Sequence, residues 1–159
     1  VTNPNISQSK SLLKEFSGAK CTAPDVARGV SRLLVAEGYS PVTEFTLGNG
    51  RRLDVAGLNA KGEILGVEIK VSLADLRSDR KWPEYIAYCD LFYFAVPPEF
   101  PQAQVPESAG LIIADSYGGA IIRQSRLETL HASRRCAVML RFAQCAADRL
   151  ARLRDPNIG

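Results

Sequence analysis

The sharpest alternation of apolar and polar positions lies between Arg51 and Lys70. In Arg52-Leu53-Asp54-Val55-Ala56, Leu53 and Val55 fall on one side of an extended chain and Asp54 on the other. In Ile64-Leu65-Gly66-Val67-Glu68-Ile69-Lys70, Leu65, Val67 and Ile69 share one face, and Glu68 and Lys70 share the opposite one. A period of two marks half-buried strands. Between them, Asn59-Ala60-Lys61-Gly62 reads as a type I turn closed by a left-handed glycine. A three-residue loop, 60–62, pairs Asn59 with Glu63 and so sets Asp54 opposite Glu68. Side chains so placed have Cβ atoms about 5 Å apart.

The remaining elements follow from similar patterns. Thr22-Ala23-Pro24-Asp25 reads as a helix start with proline in the first turn. Val26, Val30, Leu33 and Leu34 recur at helical spacing, Arg28 and Arg32 lie on the other face, and Gly38 ends the helix. Pro41 to Leu47 predicts a strand, with Gly48-Asn49-Gly50 as its turn. If that loop has three residues, Leu47 pairs with Arg51, and Glu44 joins Asp54 and Glu68 in a row across three strands. A two-residue Asn-Gly turn flips the parity and removes Glu44. Ser72-Leu73-Ala74-Asp75 has the form of a capping box, opening a helix that Pro83 must kink or restart. The run Leu91 to Val96 predicts a strand buried on both sides. A loop lasting to about Ser108 precedes two strands, Gly110 to Asp115 and Ala120 to Arg123, joined by a Ser-Tyr-Gly-Gly turn. Leu127 to Leu153 reads as one long helix, with a break near Ala132-Ser133 left open. Its expected buried stripe is Val138, Phe142, Cys145 or Ala146, Leu150 and Leu153. Residues 1–20 read as a flexible polar segment with a short helical turn over 11–16, and 21–155 as a single domain.

Composition narrows the class. A hydrophobic content of 46% supports a real core, and the net charge of +3 is mildly basic. The positive excess is mostly arginine after residue 120, with Arg134, Arg141 and Arg152 along the last helix. Such a face is either solvated or a surface that tracks phosphates. Four cysteines without Cys-x-x-Cys spacing read as reduced thiols of a cytoplasmic protein. A single histidine, His131, gives little basis for a zinc site or a Ser-His-Asp triad. No secretory signal and no apolar run of membrane length is visible, so no membrane association is expected.

Two opposed carboxylates beside Lys70 make a patch suited to a divalent metal. Mg²⁺ takes oxygen ligands and is commonly held by one or two carboxylates plus substrate phosphates. The lysine can position a water or neutralise phosphate charge. Glu-x-Lys alone is common on surface hairpins; the facing acids, the room left by Gly66 and the apolar reverse faces set this one apart.

Asp54, a gap, then Glu68-x-Lys70 resembles the signature of the PD-(D/E)XK nucleases, although position 53 is Leu where that family often has proline. The wider stretch GRRLDVAGLNAKGEILGVEIK, with DRKWPEYIAYCDLFYFAVP after it, resembles the MmcB-like DNA repair proteins over residues 24 to 115. The resemblance implies a PD-(D/E)XK, restriction-endonuclease-like α/β fold, a mixed central sheet flanked by helices. It implies a metal-dependent DNA nuclease acting in DNA repair. Asp54 and Glu68 would ligate Mg²⁺ or Mn²⁺, with the Ile69 carbonyl and Glu44 as further candidates, and Lys70 would orient the attacking water. Lys81 and Tyr85, four apart on one helix, stand where many of these nucleases carry Gln-x-x-x-Tyr, with Lys81 in place of glutamine; both are candidates to meet DNA, as are Arg134, Arg141 and Arg152. Two alternatives remain open: a non-catalytic DNA-binding repair module that kept the site, and a scaffold whose last helix docks a protein. A repair-protein partner or a homodimer is compatible with either.

Overall fold

The computed structural model describes residues 20–158, so the expected flexible segment 1–20 and its helical turn lie almost wholly outside the described residues. The architecture is α/β. A six-stranded mixed sheet in the order β1-β2-β3-β4-β5-β6 carries helices on both faces. Its strands are β1 Tyr39–Thr46, β2 Arg52–Asn59, β3 Ile64–Ile69, β4 Leu91–Val96, β5 Gly110–Ala114 and β6 Gly119–Arg123. The helices are α1 Ala23–Ala36, α2 Leu73–Ser78, α3 Pro83–Ile86 and α4 Ala132–Arg154. β1–β2, β2–β3 and β5–β6 are antiparallel, whereas β3–β4 and β4–β5 are parallel.

Local chemistry explains the boundaries. Thr22 caps α1 in a reciprocal box with Asp25, and Gly38 ends the turn after it at φ +85°. Ser72 caps α2 by accepting the Asp75 amide, and Pro83 starts α3 rather than continuing α2. Both hairpin loops have three residues. The Leu47 amide donates to Arg51 and the Asn59 amide to Glu63, while Gly50 and Gly62 take the left-handed conformation that only glycine adopts without strain.

Each face of the sheet buries its own core. α1 packs Val26, Val30 and Leu34 on Val55, Leu65, Val67 and Ile69. On the other face α2, α3 and α4 enclose Phe45, Leu53, Ala56, Phe92 and Phe94. The alternation expected through β2 fails at one point. Leu53 belongs to the α4-side core and Val55 to the α1-side core, so they do not share a face. The cause lies across the ladder: Glu44, opposite Asp54, has φ +49° and drops out of the β1–β2 pairing, so both strands change face there.

The C-terminal helix begins later than the sequence suggests. Residues 127–131 stay outside the helix because Asp90 holds them. Its carbonyl accepts the Glu128 amide, and its carboxylate accepts the Leu130 amide. Only Val138 and Phe142 of α4 are buried, with Cys145 and Ala146 partly so; Leu150 and Leu153, expected inside, are 52% and 83% exposed. Of the cysteines, Cys89 is buried and Cys136 exposed. Among the described residues no helix is long and apolar enough to cross a membrane.

Candidate metal and phosphate site

The site forms where β2 and β3 part. Their ladder runs from Leu58–Ile64 to Val55–Val67. One step further the same register sets Asp54 opposite Glu68. There Asp54 Oδ2 accepts the Ile69 amide at 2.7 Å, a side chain continuing what the backbone ladder leaves off. β3 is buried along its whole length, paired on both edges, so Glu68 is only 7% exposed. Gly66 lies beneath it. A Cβ there would come within 3.1 Å of Leu53 and Cys89, so the space expected beside the acids is taken by core side chains.

Lys70 lies just past the end of β3, its amide bonded to the Ala95 carbonyl, and is itself 4% exposed. Its Nζ is 3.1 Å from Glu68 Oε1, 2.8 Å from Asp79 Oδ2 and 3.8 Å from Asp75 Oδ1. Asp79 sits between α2 and α3 and is fixed by accepting the Lys81 amide at 3.0 Å. Burial works against the charge on Lys70, but the hydrogen bond to Asp79 and the pair with Glu68 outweigh it, and its pKa is raised. The two ion pairs therefore favour the ammonium form of Lys70, a source of positive charge and hydrogen bonds.

The acids show the opposite strain. Burial, and next the neighbouring Asp54 charge, push Glu68 up to about 7. Asp54 is also raised by burial, against the pull of the Ile69 amide and Lys70. Glu68 Oε2 is buried with no hydrogen-bond partner. A buried carboxylate oxygen without a partner is costly. One lysine thus stands among four carboxylates, two of them resisting ionisation. Among the described residues no group of three or more His, Cys, Asp or Glu side chains is arranged to hold a metal by itself. The pair Asp54 and Glu68 instead fits Mg²⁺ or Mn²⁺ held by two carboxylates, with water and phosphate oxygens completing the shell.

The other candidates are dispersed. Glu44 has the expected register, yet its carboxylate is 65% exposed and 3.7 Å from Arg52. Tyr85 is 7% exposed, stacked against Phe92; burial, then the charges of Glu68 and Asp79, push its hydroxyl up to about 12. Its ring is close to the acids but shielded from solvent. Lys81 is exposed on the rim, and Trp82 packs on Phe92 and Phe94 as an anchor of the core. Arg134 lies over the Tyr88 ring at 4.6 Å and donates to the Ala87 carbonyl, while Arg141 and Arg152 are exposed on α4.

Three residues with structural or positioning roles escaped the sequence reading. Asp79 clamps Lys70. Arg149 donates to the carbonyls of Thr43 and Glu44, holding the kink in β1 from α4. Asp90, 2% exposed, takes a two-pronged contact from Arg135 at 2.6 and 2.7 Å. A lone acid at the mouth of the apolar run 91–96 was the available signal for the last.

Comparison with known proteins now bears on this arrangement. The DNA repair protein MmcB-like family matches residues 13–157, nearly the whole chain. The chain belongs to the MmcB-like DNA repair family. A solved structure, the SPO1766 protein of unknown function from Silicibacter pomeroyi, is 43% identical. It superposes with a TM-score of 0.83, covering 86% of this chain and 94% of its own. No curated protein matches. Membership of the family indicates a role in DNA repair and so an interaction with DNA.

Proposed function

We propose that the chain is a metal-dependent DNA nuclease of the PD-(D/E)XK type that acts in DNA repair. The observation that carries this reading is the buried, partnerless Glu68 Oε2 across the hairpin from Asp54, beside an ammonium already committed to Glu68 Oε1. Such an arrangement is short of positive charge, and a divalent ion supplies it. Asp54 and Glu68 would hold Mg²⁺ or Mn²⁺, with the Ile69 carbonyl as a further ligand. When bound, the ion supplies polarisation of the scissile phosphate and a water of lowered pKa.

The protein's own groups do the rest. Lys70 stays charged and presents N–H donors to the attacking water or a phosphate oxygen. Asp79 keeps that ammonium in place when Glu68 turns its charge to the ion. Lys81 on the rim meets a neighbouring phosphate. Arg141 and Arg152 add non-specific attraction to the backbone. Glu44, turned to Arg52, has no part in this reading.

The test is cleavage of duplex, single-stranded and branched DNA with Mg²⁺, with Mn²⁺ and with EDTA. Metal-dependent cleavage that Lys70→Ala abolishes, with metal binding retained, is the expected result. DNA binding without cleavage in any metal would make the chain a recognition module that keeps the fold and the acids without turnover.

A further inference from the structure

α4 presents a second pattern on the side away from the core. Cys136, Leu140, Ala143, Ala147 and Leu150 recur at spacings of four, three, four and three, and all five are exposed. That is the apolar repeat of a coiled-coil seam, with a mean period of 3.5. Leu140 is 61% exposed and Leu150 52%. The positions flanking the seam are Met139, Ala146 and Leu153 on one side and Ala137, Gln144 and Ala151 on the other. None is charged, in a helix that carries six arginines. A solvated helix face is normally polar, and an exposed apolar stripe of this length marks a contact surface.

We propose that this seam joins two copies of the chain as an antiparallel helix pair about a twofold axis. The pattern itself selects the occupant. Leu140, Ala143, Ala147 and Leu150 have spacings of three, four and three, which read the same in both directions. An antiparallel twofold therefore sets Leu140 of one copy against Leu150 of the other, and Ala143 against Ala147, at both ends alike. Such a face is self-complementary, as an isologous contact requires. The paired alanines let the helices approach at the short end of the usual range of about 8–10 Å. Charge agrees, because the uncharged flanks let two strongly basic helices meet without opposing arginines. A shallow apolar groove bordered by Thr129, Leu130, Met139 and Leu140 lies at one end of the seam. The same symmetry carries Leu153, 83% exposed, over this groove of the other copy. Arg134, Arg141 and Arg152 lie off the seam, so the dimer leaves them facing solvent.

Sedimentation equilibrium and light scattering on the full chain test this. The wild type is expected to be a dimer at micromolar concentration. Leu140→Glu and Leu150→Lys, each at a position more than half exposed, are expected to be folded monomers by circular dichroism. Mixed in equal amounts they should form a heterodimer, because only the antiparallel register sets the glutamate introduced at position 140 of one chain against the lysine introduced at position 150 of the other. Should a charged variant unfold, the double variant Leu140→Gln, Leu150→Gln repeats the monomer arm. A wild type that stays monomeric overturns the proposal and leaves the seam to a different helix. A single variant that remains dimeric, or a mixture that remains monomeric, overturns it as well.

Discussion

Glu68 concentrates the chemistry of the site in one side chain. Its Oε1 is tied to Lys70 and its Oε2 has no partner, and burial with the Asp54 charge raises it from 4.5 to about 7. A carboxyl raised on folding binds more protons folded than unfolded, so stability falls as pH rises through the interval between those values. The full cost is present above about 7 and absent below about 4.5. At 1.36 kcal/mol per unit the cost at alkaline pH is about 3 kcal/mol. Asp54, also raised, adds in the same direction. Metal-free protein is therefore expected to lose stability between pH 5 and pH 8 in urea titrations, on the order of 2–3 kcal/mol after allowing for solvent near the site. Glu68→Gln should remove most of that slope. An unchanged slope in the variant would mean that the strain is not seated at Glu68. The opposition of Asp54 and Glu68 was legible from the three-residue loop alone. Asp79 was not, because its partner Lys70 is nine positions away and nothing local announces that pairing.

At the scale of elements, the pair of buried Asp90 and partly exposed Arg135 decides where α4 starts. Asp90 accepts the Ile64 and Leu130 amides as well as both guanidinium nitrogens, and Arg135 also donates to the Gly62 carbonyl. Burial alone would raise the Asp90 carboxyl; the Arg135 contacts and the two amides hold it low. Removing one partner of such a pair leaves a charge in the core. Asp90 keeps its two amide donors, so Arg135→Met is expected to cost about 2–3 kcal/mol in chemical denaturation. Arg141→Met on the same helix, exposed, should cost under about 0.5 kcal/mol. Equal effects would contradict the latch. Strand and helix boundaries near turns and caps were readable because Thr22, Ser72, Gly50, Gly62 and Pro83 act locally. The change of face in β2 was not, since it follows from a left-handed glutamate on the neighbouring strand, held by Arg149 from the far end of the chain. The start of α4 was hidden for a similar reason: helical spacing in 127–131 yields to a single aspartate some forty residues earlier.

At the scale of the whole molecule, the acids lie at the ends of β2 and β3, beside α2 and α3, and the exposed Arg141 and Arg152 lie on α4. Phosphate contacts release counterions, so DNA affinity should fall linearly on a log–log salt plot, by about 0.9 in slope per duplex contact. Charge reversal at Arg141 and Arg152 together is expected to flatten that slope by about 2. Gel shifts at several salt concentrations read it, and an unchanged slope would remove α4 from the DNA surface. The central claim, that Asp54 and Glu68 hold a divalent ion, is tested most directly by thermal melts. Wild type, Asp54→Asn and Glu68→Gln would each be melted at pH 8 with EDTA and with millimolar Mn²⁺. An ion that binds only the folded state raises the melting temperature by mass action. The account predicts a clear upward shift for wild type, lost in both variants, while their EDTA melts match or exceed the wild type's because the repulsion is relieved. A wild type that does not respond to Mn²⁺, or variants that melt lower in EDTA and still respond, would contradict it.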